Sequence, residues 1–306
     1  MIINKTKKTG FTLVRYMGFY CSIALVLFSL LAMLNKGFNL AVDFTGGVIT
    51  EIQTTQPVSQ EHLQVALKQV IKVPFSLTNV GNEYQWSIRQ AISNEQMPET
   101  SLLMQNIDAD FSIKVLSASV IGPQVGDELV EMGGLALLAS LVAMLIYLSF
   151  RFEWRLATGS VVALFHDIIV VLGVFSLFQI EFDLTVLAAL LAVIGYSLND
   201  SIVISDRIRE VLRSKATGTI NEIIDSAIVS TLTRTLITSG TTLGTVAAIW
   251  LLAGAPLQGF SIALFIGILV GTLSSICLSA TIPELLGLKR EHYQIKALPK
   301  EGEVYN

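Results

Sequence analysis

LTVLAALLAVIGYSLNDSIVIS, residues 184–205, is long and apolar enough to cross a bilayer, yet it carries Asn199 and Asp200 within it. A carboxylate at that depth costs about 2.5–3.5 kcal/mol on insertion scales, so it requires a partner, a water-filled cavity or a proton. Asp200 is therefore a candidate functional residue.

Working outward, apolar windows of about 20 residues recur at 16–34, 132–150, 156–178, 184–204, 230–253 and 259–280. The chain has 306 residues, of which 52% are hydrophobic and 14% charged, a composition that belongs to a membrane protein. The first span follows basic residues as a signal peptide does. Its core is longer than an h-region, however, and LAMLNKG has no small-x-small cleavage site, so it is expected to remain as an anchor.

Lys and Arg set the orientation. Lys5, Lys7, Lys8 and Arg15 precede span one, Arg151 and Arg155 follow span two, Arg207, Arg209, Arg213 and Lys215 follow span four, and Lys289, Arg290, Lys296 and Lys300 follow span six. Six crossings place all of them on the cytoplasmic side, with an arm at 1–15 and a tail at 281–306. The opposite side has the acidic link QIEFD and the nearly uncharged link at 254–257.

Residues 35–131 then form one extracytoplasmic head. Its pattern is strand (41–54), helix (59–70), strand (73–80), strand (83–90), helix (about 95–107) and strand (111–122). That order, βαββαβ, predicts an α+β ferredoxin-like unit with a hairpin turn at Gly81 and Asn82. The fold class is thus a polytopic α-helical membrane protein, with six transmembrane helices, a bundle at 132–280 and a head between helices one and two.

Several chemistries lack support. Cys21 and Cys277 lie in apolar spans and read as small hydrophobes. The histidines His62, His166 and His292 are scattered, with no HExxH or CxxC to suggest a metal, and no phosphate-binding G-x-x-x-x-G-K-[ST] loop occurs. Net charge is −4, which does not favour nucleic acid. The expectation is a non-enzymatic protein without a cofactor, powered from elsewhere.

Asp200 is six residues before Asp206, hence about 9 Å inside the cytoplasmic boundary, and Arg234 on the next, antiparallel span lies at a similar depth. An ion pair between them is allowed, which a proton or cation at Asp200 would break and remake. Snorkelling of Arg234 to the headgroups is the static alternative. Ser197, Ser201, Thr235, Thr238, Ser239, Thr241 and Thr242 supply polarity or close helix packing. His166 and Asp167 form a second polar point near mid-bilayer, a proton relay or a structural hydrogen bond. Gly267 and Gly271 make a GxxxG packing motif. At the head junction Asp43, Phe44, Gly46 and Gly47 fit a tight connection, with Asp43 capping a turn.

AVDFTGG after the first span, GYSLNDSIVISDRIRE ending the fourth and RTLITSGTT opening the fifth together resemble the SecF branch of the SecD/SecF family of bacterial protein-export membrane proteins, within the resistance-nodulation-division superfamily. The resemblance covers essentially the whole chain. It implies an inner-membrane protein with a periplasmic head that works with SecD, the SecYEG channel, YajC and the translocating preprotein, driven by H+ or Na+. It assigns ion coupling to Asp200, Asn199 and Arg234. Ala41 departs from the family's usual glycine, which puts any left-handed turn at that position in question. SecD's large extra head is absent. Two other readings share the buried charges: an ion-coupled small-molecule exchanger of the same superfamily, and an intramembrane aspartyl protease using Asp167 and Asp200.

Overall fold

The computed structural model describes residues 10–71, 73, 75–80, 82–91, 113–214 and 218–293. Six helices are long and apolar enough to span a membrane: α1 (Gly10–Lys36), α4 (Pro123–Arg151), α5 (Trp154–Phe178), α6 (Leu184–Ser214), α7 (Ile220–Leu252) and α8 (Gln258–Leu285). Their ends are chemically marked. Pro123 opens α4 where no intrahelical N–H is needed, Gln179 ends α5 in the left-handed region (φ 52°), and Thr219 with Glu222 forms a capping box on α7.

Among the described residues the head follows the expected pattern except at its start, where Val42–Thr45, read as part of the first strand, form a helical turn. Between α1 and α4 lie β1 (Asn39–Leu40), the single-turn α2 (Val42–Thr45), β2 (Gly47–Gln53), α3 (Gln60–Val70), β3 (Phe75–Asn79), β4 (Gln85–Ala91) and β5 (Lys114–Ile121). The four long strands form an antiparallel sheet in the order β3-β4-β2-β5, which is the ferredoxin-like arrangement. The alternation in β2 and β4 turns Ile52, Trp86 and Ile88 onto one face, where Leu63, Leu67 and Ile71 of the α3 segment close the core. In the β3–β4 connection the Asn82 side-chain Oδ1 accepts from the Tyr84 N–H, and the Asn82 backbone carbonyl accepts from Asn79 Nδ2. The second expected helix, about 95–107, lies outside the described residues, as does Gly81.

In the bundle, α5, α6 and α8 pack on one another at the centre and α1 lies along α5. The GxxxG pair on α8 makes close approach possible. A Cβ on Gly267 would stand 2.3 Å from Val193 Cγ2, and one on Gly271 would press on Ser197 Cβ (3.2 Å) and Asp167 Oδ2 (3.3 Å). Cys277 is buried and Cys21 exposed, both as free thiols.

Two features of the cytoplasmic end were not visible in the sequence pattern. α6 and α7, at 31 and 33 residues, are about 46 and 50 Å long and so exceed the hydrocarbon core; beyond it they pack Ile208, Leu212, Ile223 and Ile224 against Phe152 and Leu288. Arg15, counted above with the cytoplasmic arm, lies inside α1 and is completely buried. Its guanidinium meets Glu284 (2.7 Å), Asn221 Oδ1 (2.9 Å) and Asp225 (3.5 Å), tying α1 to α7 and α8.

Candidate functional site

The polar core of the membrane bundle has two layers. The deeper one is centred on Asp167 of α5, whose carboxylate is fully buried. His166 Nδ1 lies 2.9 Å from Asp167 Oδ1, while Oδ2 accepts from Ser274 Oγ of α8 at 2.9 Å and from Ser197 Oγ of α6. One carboxylate therefore joins three helices. Gly271 keeps that junction open, because any side chain there would meet both Ser197 and Asp167.

The second layer begins one helical turn further along α6. Asp200 follows Ser197 by three residues, about 4.5 Å along the axis. It is 5% exposed, and its Oδ2 has no hydrogen-bond partner. The side chain facing it is Ser239 of α7, which also receives Thr272 Oγ1 of α8 (2.7 Å) and the Tyr196 hydroxyl (3.4 Å). Ser201 Oγ and Thr235 Oγ1, on the adjoining cytoplasmic stretches of α6 and α7, are likewise buried without a partner. Unpaired buried oxygens are costly, and oxygen is the donor that a proton or a hard cation uses.

Arg234 does not complete this layer. Asp200 and Arg234 form no ion pair within 4 Å among the described residues. Arg234 is exposed and lines a cleft of about 700 Å³ at the cytoplasmic end of α6 and α7. The reason is rotational. Thr231, Thr235 and Ser239 recur every four residues as the buried face of α7, and Arg234, one residue from Thr235, is turned about 100° away. The two charges share a depth, so they act on each other through the field and not through contact.

Asn199 is also exposed, on the outer face of α6. Thr238 satisfies itself, donating back to the carbonyls of Arg234 (3.0 Å) and Thr235 (3.1 Å). Ser239 is among the hydroxyls read from the sequence, whereas Thr272 and Ser274 occupy places that the reading did not single out. The hydroxyl-rich run GTLSSICLSAT was their only signal. Asp167 does not share a proton with Asp200 here, since its two oxygens are taken by His166, Ser197 and Ser274. Among the described residues no group of three or more His, Cys, Asp or Glu side chains is placed to hold a metal ion.

The head junction is a third locus, and it touches the same helix. β1 pairs in parallel with β6 (Glu181–Phe182), the two-residue strand between α5 and α6. Phe38, Phe44 and Phe175 ring Phe182 at centroid distances of 5.9–6.1 Å. Asp43 Oδ2 accepts from the Leu184 N–H (3.4 Å), adding to the cap on α6 made by Asp183, whose Oδ1 accepts from the Val186 N–H (2.9 Å). Arg89 of the head reaches Glu181 at 3.5 Å. Gly46 has φ +71° and ψ 155°, a conformation open to glycine, and a Cβ there would lie 2.9 Å from the Pro123 backbone. Replacing Gly46 with alanine is expected to destabilise the junction by about 1–3 kcal/mol, read as a lower Tm of the purified chain. An unchanged Tm would contradict the geometry.

Residues 101–289 match the family described as protein export membrane protein SecD/SecF, C-terminal, and residues 31–58 match the SecD/SecF GG motif. The chain belongs to the SecD/SecF family. It is 41% identical to the protein translocase subunit SecF of Vibrio alginolyticus over 100% of this chain and 98% of that one. It is also 41% identical to that of Escherichia coli O157:H7, over 94% and 90%. Among solved structures it resembles SecDF of Thermus thermophilus, described as a translocon-associated membrane protein, with TM-score 0.75 and 33% identity over 94% of this chain. It spans only 39% of that longer chain.

Within the SecD/SecF family's GG motif this chain keeps Asp43, Phe44, Gly46 and Gly47 and carries Ala41. Ala41 adopts φ −69° and ψ 165°, ordinary extended backbone, and its N–H donates to the Phe182 carbonyl at 2.9 Å. No left-handed turn is required there, so the alanine is accommodated without strain. The six spans and the α+β head agree with the fold of this family.

Proposed function

We propose that the chain is the SecF half of a SecD–SecF complex, accessory to SecYEG, in which movement of H+ or Na+ past Asp200 drives the periplasmic head to draw a preprotein outward through the inner membrane. The observation that carries this reading is the position of Asp200: a buried carboxylate with an unpaired oxygen, on the helix whose other end clasps the head. From Leu184 to Asp200 is about 24 Å, most of the roughly 30 Å hydrocarbon core, which leaves Asp200 inside the cytoplasmic boundary.

The proposed cycle uses two arrangements of α7 against α6. With Asp200 neutralised by a proton or cation, the Ser239 face of α7 packs as described. With Asp200 charged and open to the cytoplasmic cleft, the carboxylate draws Arg234 toward it, and α7 turns or slides. One charge crossing 100 mV is worth about 2.3 kcal/mol, enough to bias such a pair of states. Movement of α6 reaches the head without a further lever, through the Asp43 cap, the β1–β6 pair and Arg89–Glu181.

The bare outer faces of α6 and α7 support a partner bundle. Gly195 on α6 and Gly240 and Gly244 on α7 have open space where a side chain would stand, and Asn199 is exposed beside them. Small residues with a polar one are what a second helix bundle packs against, and SecD is the partner this reading assigns. Affinity capture of the intact chain from membranes tests it. Recovery of SecD and SecYEG, without saturable solute uptake by the isolated chain, is expected; solute uptake without those partners would favour an exchanger.

A further inference from the structure

We propose that the cleft at the cytoplasmic end of α6 and α7 binds the headgroup of an anionic phospholipid through Arg213 and Arg234. The cleft, about 700 Å³, is lined by four arginines and two carboxylates. The carboxylates are already occupied. Asp206 pairs with Arg151 and, at 2.7 Å, with Arg209; Glu210 pairs with Arg207, also at 2.7 Å. Arg213 and Arg234 are exposed and have neither hydrogen bond nor ion pair among the described residues. Two guanidiniums that line one open cleft without an anionic partner of their own favour a phosphate group there.

Position and lining select a lipid over a soluble anion. The cleft begins where α6 and α7 leave the apolar layer, on the cytoplasmic side, where basic pockets between helices meet acidic headgroups. Its inner wall is Ile202 and Val203, and Ile237, one helical turn from Arg234 on α7, is 60% accessible. A free phosphate would leave that wall unused, whereas an acyl chain descending from the headgroup would cover it. The inference does not rest on ion coupling.

The test is native mass spectrometry of the full chain, purified in neutral detergent and titrated with phosphatidylglycerol, with phosphatidylcholine and with inorganic phosphate. Phosphatidylglycerol should be retained in clear preference to phosphatidylcholine. Arg213→Gln should lower its retention about fivefold, and Arg213→Gln with Arg234→Gln about 25-fold. Both side chains are exposed, so circular dichroism should report an unchanged helix content. Equal retention of the two lipids, no loss in the double variant, or displacement of the lipid by equimolar phosphate would each overturn the proposal. So would loss of the preference on addition of SecD, which would make the cleft a protein interface.

Discussion

Asp200→Asn is expected to abolish the gradient-dependent part of preprotein export while leaving the chain folded and bound to SecD. The amide keeps the size of the carboxylate and its hydrogen bond toward Ser239, so α6, α7 and α8 should still pack. What it removes is the alternation between a charged and a neutral group. Because a charge moved through 100 mV carries about 2.3 kcal/mol, the driven step should lose up to about fiftyfold, leaving the ion-independent background. Export rates in vesicles containing the variant with its partners check this. A rate equal to the unsubstituted protein's, under the same gradient, would remove Asp200 from the mechanism.

Arg15→Met should have the largest effect on stability. The methionine fills much of the arginine's volume but takes the guanidinium away from Glu284 and Asp225, in a region where the arginine is fully buried and their own side chains are 15% and 8% exposed. Removing one partner from a buried charge network costs about 3–5 kcal/mol, because the charges left behind are not resolvated. The measurement is thermal unfolding of the detergent-solubilised chain, with proteolysis to show whether α1 detaches from α7 and α8. Adding Glu284→Gln to the methionine variant should restore part of the loss, since one stranded carboxylate then becomes neutral. No change in Tm for Arg15→Met would mean the network is looser than its distances indicate.

These two residues also show what a sequence can convey about such a fold. The six spans and the head were legible because hydropathy over 20 residues and strict alternation over six or seven are the two strongest periodic signals. Asp200 stood out for the same reason, as a charge against an apolar background. The facing of Arg234 was not legible. In a soluble helix the apolar stripe reveals the buried side, but lipid is as apolar as a protein core, and α7 alternates Leu, Ile and Thr on every face. Depth could be counted from the boundary; rotation about the axis could not. The packing of Ser239, Thr272 and Ser274 around the two aspartates was hidden in the same way.

Arg15 was hidden by a rule that is right on average. A basic residue just before an apolar span ordinarily stays in the cytoplasm, whereas polar groups of two distant helices, Asp225 and Glu284 among them, hold this one inside. The junction at Asp43 illustrates a third limit. Its carboxylate caps a helix 141 residues away, a partner that no local turn rule could supply.

The central claim is that cation flow past Asp200 powers export, and the most direct measurement is preprotein transport into inverted vesicles with the proton and sodium gradients collapsed separately. The account predicts that one collapse lowers the unsubstituted complex to the rate of its Asp200→Asn counterpart, and that the variant responds to neither. Transport by both proteins that is indifferent to both gradients, or equal gradient dependence in the two, would contradict it.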